Sequence, residues 1–156
     1  MKLFPINKYA IELFNDSAFA LSNLKNHTLS KEQYVANYNK QDFIGLVQEN
    51  EFELKLSKKL SGECCVAHGI LENKTGTIEI RTSQTFKIIF VAIALFAFSG
   101  IAIAIIQNKT ESIAPLVISI LLLRFVFLEL VFHLVSKSIL FKLTHHIGIK
   151  KWNSIK

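Results

Sequence analysis

Three polar residues interrupt an apolar run late in the chain: Arg124, Glu129 and His133. A guanidinium, a carboxylate and an imidazole within one hydrophobic stretch are the material of a pore lining or a polar contact between helices. Glu129 and His133 are four residues apart and so share one face of a helix. Arg124 precedes Glu129 by five residues, about 140° around an α-helix, which places the two poorly for pairing within one chain. An arginine midway through a bilayer costs about 2.5–3.5 kcal/mol on insertion scales and must find a carboxylate, a carbonyl or water. Pairing of Arg124 with Glu129 of another copy would meet that need and implies a homo-oligomer. The alternative is a shallower hairpin, with Glu129 and His133 at the inner interface and Arg124 snorkelling towards the headgroups.

No other residues assemble into a chemical motif. His145 and His146 are adjacent, about 100° apart on a helix. Neither they nor His68 and His133 have companion ligands at metal-site spacing, so no metal is expected. Cys64 and Cys65 are neighbours, and a disulfide between adjacent cysteines closes a strained ring; they read as buried strand residues. Gly45, Gly62, Gly69 and Gly76 fit no phosphate-cradling pattern, and no nucleophile–base arrangement is visible. The chain is therefore expected to be non-enzymatic and without a cofactor.

The elements that carry these residues follow from a break in composition near residue 85. Residues 1–84 hold ten basic and ten acidic residues, whereas residues 85–156 hold eight basic and two acidic, so the net charge of +6 belongs to the second part. There the basic residues flank apolar segments rather than striping a soluble domain. That argues against nucleic acid and for a bilayer with anionic headgroups. Residues 88–106 contain no charge, enough to span about 28 Å as a helix. Ala97, Gly100 and Ala104 lie on one face of that helix and suit close packing by another. After a polar loop at 107–112, residues 113–135 make a second span with Pro115 in its first turn. Arg81 and Lys87 precede the first span, Lys137, Lys142, Lys150 and Lys151 follow the second, and the loop holds one lysine. This distribution places both termini in the cytoplasm and the protein in the inner membrane. The N-terminal residues do not read as a secretory signal.

Ahead of the spans the pattern is mostly of strands. Residues 9–14 alternate, 18–24 offer a second candidate, and 43–47 with 52–56 form a hairpin with one buried face. Residues 66–71 and 77–81 form another hairpin. Ser30 and Gln33 make a capping-box pattern for a helix over 31–39. The fold class expected is an α+β membrane protein: a small antiparallel β-rich domain with one short helix (1–84), a transmembrane hairpin (85–135) and a basic amphipathic tail (136–156). Within the tail, Ile139, Leu140, Leu143 and Ile147 form a stripe. It suits either an amphipathic helix on the headgroups or a second layer folded back onto the β domain.

The succession Phe43-x-Gly45-x-Val47, Phe52-Glu53-Leu54, Gly69-Ile70 and Gly76-Thr77-Ile78-Glu79-Ile80, followed by two spans, resembles a group of small, uncharacterised bacterial two-span membrane proteins. The resemblance covers about residues 43–135 and implies a compact β-rich cytoplasmic domain joined to a membrane hairpin. It assigns no activity. Two functions are open at this point. One is an anchored module whose β domain binds a protein or small ligand. The other is an oligomeric effector in which Arg124, Glu129 and His133 line a pore or disrupt the bilayer.

Overall fold

The structure, a computed structural model, describes residues 4–30, 41–58, 62–108, 111 and 113–155. Among them, seven strands form one mixed sheet: β1 (Ile6–Leu13), β2 (Thr28–Leu29), β3 (Phe43–Val47), β4 (Glu51–Leu56), β5 (Cys65–Glu72), β6 (Thr75–Thr82) and β7 (Ile149–Ile155). Helix α1 is Ser17–Asn26, α2 is Gln84–Ile106, and α3 runs without a break from Ile113 to Gly148. The strand order is β2-β3-β4-β5-β6-β1-β7, antiparallel except for the short β2–β3 pair. The helix expected over 31–39 lies outside the described residues.

The two hairpins form where the alternating pattern places them. Phe52, Leu54 and Leu56 face inward from β4, against Ala67, Leu71, Ile78 and Ile80 on β5 and β6. Lys8, Glu53, Lys55, Glu79 and Arg81 point to the opposite, wet face, where Lys8–Glu79 and Arg81–Glu53 lie 2.7 Å and 3.5 Å apart. Gly69 stands opposite Phe52, whose ring covers it so closely that a Cβ there would fall 2.2 Å from Cζ. Residues 18–24, a candidate strand from the sequence, are helical instead. Asp16 precedes the helix, and Ala20, Leu21 and Leu24 form one buried helical face.

The second layer comes from the end of the chain. Phe132, Val135, Ile139, Leu140, Leu143 and Ile147 of α3 are buried against the inner face of the sheet. The stripe read from the sequence thus folds back onto the β domain. The basic tail is accordingly not one amphipathic helix. Gly148, with φ +73°, ends α3 in the left-handed region that favours glycine, and β7 then adds to β1. The sheet curls around this helix. His146 touches Phe43 of β3, while the Gly148 carbonyl two residues on accepts a hydrogen bond from the Phe14 N–H beyond β1. Flat, β3 and β1 would stand about 19 Å apart.

Among the described residues, α2 and α3 are the two helices long and apolar enough to cross a membrane, and little of either apolar stretch is buried. Phe96 is 81% exposed and Ile106 80%, so the hairpin presents apolar surface to its surroundings. Helix α2 begins four residues earlier than the charge-free run because Ser83 caps it: the Ser83 hydroxyl accepts from the Phe86 N–H.

Substituting Gly69→Ala is expected to destabilise the β domain by about 1–3 kcal/mol, since the new methyl would displace the buried Phe52 ring. A denaturant titration of the detergent-solubilised chain measures it; an unchanged midpoint would contradict the close packing.

Candidate functional site

The polar residues of α3 lie where the helix changes its hydrogen-bonding pattern. Between Leu123 and Leu128 the backbone makes a π turn before the α pattern resumes at Glu129. The burial pattern shows what this turn does. From half-buried Ile120, a regular 3.6-residue period would return the inner face near residues 127, 131 and 134. The buried residues are instead Leu128, Phe132 and Val135, each one later. The π turn supplies the extra residue, so one face of α3 meets both α2 and the sheet.

The same turn corrects the expectation that Arg124 and Glu129 are poorly placed to pair within one chain. The wider winding brings residues five apart onto one side, and Arg124 Nη1 lies 3.6 Å from Glu129 Oε2. The arginine side chain is 12% exposed and the carboxylate 62%. His133 is exposed one turn further on, and among the described residues no hydrogen bond or ion pair joins it to the other two. Nor is Arg124 midway along the hairpin. Gly100 packs beside Leu116, where an added Cβ would stand 3.5 Å from Cδ1. Counting antiparallel from that contact, Arg124 lies level with Ala92 and Glu129 with Lys87, close to the β-domain end.

Ala97 and Gly100 are half-buried and Ala104 is 6% exposed. The Gly100–Leu116 contact places this small-residue face against α3, within one hairpin.

A second polar cluster, which sequence reasoning did not find, locks the far end of α3 to the sheet. One Asp42 oxygen accepts a hydrogen bond from Lys142 Nζ, and the other lies 2.8 Å from His146 Nε2. The His146 side chain is 9% exposed, its ring stacks 4.2 Å from that of His27 beyond α1, and its carbonyl accepts from Asn23 Nδ2 at 2.7 Å. His145–His146 was visible as a pair. Its partner was not, because 104 residues separate His146 from Asp42. The Lys142 hydrogen bond holds the Asp42 carboxyl below its ordinary value of 3.8; burial opposes this, and His146 adds to it. Carboxylate, ammonium and imidazole satisfy one another here, which suits a structural clamp.

At the root of α2, the Ser83 N–H donates to the Cys64 carbonyl at 2.9 Å and its hydroxyl donates to the Glu63 carbonyl. Cys65 is 1% exposed, and burial, with Cys64 beside it, pushes its thiol up to about 12. Burial and the neighbouring Glu63 also raise Cys64. Both thiols are chemically quiet. Among the described residues, no three metal-ligating side chains converge.

No protein-family model, curated protein or solved structure matches the chain. The site is therefore read from its own residues.

Two outcomes follow from this geometry. Arg124→Leu and Glu129→Leu should each leave the assembly state unchanged on sizing in detergent, because the pair forms within one chain; a shift in either would restore the intersubunit pair. Asp42 has a lower pKa folded than unfolded, so its contribution to stability is complete above pH 3.8 and is lost as pH falls through the depressed value. Asp42→Asn should thus be less stable than the parent near neutral pH, with the gap closing below pH 3.8. Acid titrations followed by circular dichroism test this, and a gap that stays constant would exclude the carboxylate as its origin.

Proposed function

We propose that this chain is a non-enzymatic membrane module, whose hairpin anchors a β domain that binds a partner in the cytoplasm. The observation that carries this reading is the continuity of α3. Its first part presents apolar side chains on all sides, and its second part supplies much of the core of the β domain. At 36 residues it is about 54 Å long, against about 30 Å of hydrocarbon. A domain meant to roam would hang from a flexible linker; this one is held at a set height and angle.

The basic residues support a cytoplasmic β domain. Arg81, Lys87, Lys137 and Lys142 stand at the domain end of the hairpin, whereas the sequence between the two helices holds a single lysine. The partner surface best suited to the geometry is the wet face of the sheet. It carries charged rows and an open depression of about 470 Å³ among Ala10, Glu12, Ile70, Glu72, Thr77 and Lys151. An open depression suits contact with a protein better than enclosure of a small molecule. The pairing of Arg124 with Glu129 inside one chain also removes a motive for a polar-lined oligomeric pore.

The full-length chain is expected to resist extraction of membranes with alkaline carbonate, and to leave dye-loaded vesicles intact when reconstituted. Release into the wash would overturn anchoring. Dye leakage that depends on the amount of protein would favour the effector.

A further inference from the structure

The anchoring reading leaves one part of the β domain without a role: the lead-in to β1, which turns back beside the root of α2. Phe4 lies edge-on to Phe90 with ring centroids 5.7 Å apart, and Lys87 Nζ stands 5.5 Å from the centre of the Phe4 ring. The Pro5 carbonyl accepts a hydrogen bond from Thr82 Oγ1 at 3.3 Å, fixing this segment to the last residue of β6. Ile6 follows, 38% exposed and opposite Arg81. Diagonally from it on the same face, Ile155 of β7 is 45% exposed, opposite Lys8.

We infer that Phe4, Ile6 and Lys87 form a seat for an anionic lipid headgroup, so that the β domain rests on the bilayer surface as well as hanging from the hairpin. The inference rests on the anchoring reading, and three observations commit the surface to lipid. First, depth: Lys87 immediately precedes the charge-free run, and Phe4 packs between it and Phe90, at the edge of the hydrocarbon. Ile6 is two residues beyond Phe4, at most about 7 Å further out along an extended chain, and the headgroup layer is about 5–7.5 Å deep on each side. Second, charge: Lys8 and Arg81 are engaged by Glu79 and Glu53, whereas among the described residues no carboxylate pairs with Lys87. An ammonium held over an aromatic ring at that depth is placed to meet a lipid phosphate. Third, apolar exposure: Ile6 and Ile155 stand exposed at the end of the sheet from which β6 leads into α2.

The test uses the full chain in nanodiscs of phosphatidylcholine, with or without phosphatidylglycerol. Single-cysteine variants Ile6→Cys, Glu49→Cys and Leu95→Cys carry a fluorophore, and lipids bearing nitroxides at the headgroup or deep in the chain quench it. Cys64 and Cys65, buried and with raised thiol pKa values, remain unlabelled. The seat predicts strong headgroup quenching at Ile6, deep quenching at Leu95 and little quenching at Glu49. Adding Lys87→Gln should weaken the contact at Ile6 about fivefold with phosphatidylglycerol and little without it. Quenching at Ile6 as low as at Glu49, with Leu95 still deep, would overturn the seat and leave anchoring intact. An aqueous Leu95 would overturn anchoring and the seat together. Quenching at Ile6 that ignores both Lys87→Gln and lipid charge would overturn the phosphate contact.

Discussion

Between Leu116 and Val135, one face of α3 passes from contact with another apolar helix to contact with a β-sheet, and the backbone must keep that face in phase across both. The period of a regular helix does not do so here. The buried side chains, Leu128 and then Phe132 and Val135 in the sheet's core, come one residue late. Inserting a residue into a helix exchanges well-aligned hydrogen bonds for wider ones, a local cost that burial of the whole inner stripe offsets. The Arg124–Glu129 pair is a by-product of the same winding, since a π turn brings residues five apart together.

Fixed in phase, the helix is also pinned at both ends of the domain. Ser83 ties the first turn of α2 to the carbonyls of Glu63 and Cys64 at the root of β5. Asp42 holds Lys142 and His146 in the last turns of α3. Asn7 Nδ2 donates to the buried Ser136 hydroxyl at 3.2 Å, where α3 enters the domain. These contacts are modest individually, at about 1 kcal/mol each for ordinary hydrogen bonds. They sit where sliding or rotation of a helix would begin, so they resist motions that apolar packing alone tolerates.

The sequence revealed the parts of this arrangement that repeat a local pattern. Strands β3 to β6 were legible because alternation of apolar and charged residues survives in a half-buried sheet, and the two long apolar helices because uncharged runs of that length have few rivals. Helix α1 was misread: with Ala18, Ala20 and Ser22 in the run, small residues blur helical and alternating periods. Strand β7 gave no signal, because only Ile149 of its seven residues is buried and an edge strand needs no apolar face. The π turn was invisible for another reason. Nothing in the residues 123–128 demands it; it arises from the mismatch between two distant surfaces. The same holds for Asp42 and His146, which meet only because the sheet curls around the end of α3.

Gly148 releases the chain from α3 into β7, and the placement of that strand governs how the protein can be made. Strand β1 leaves the ribosome first, yet the neighbour at its open edge comes last, and α3 must complete the inner layer before it. A nascent chain through β6 therefore has strands without the layer that buries them, and the hairpin emerges before that layer exists. Closure of the β domain thus waits on delivery of the second helix. The domain acts as its own inspector, becoming whole only in copies whose hairpin has already turned and come back.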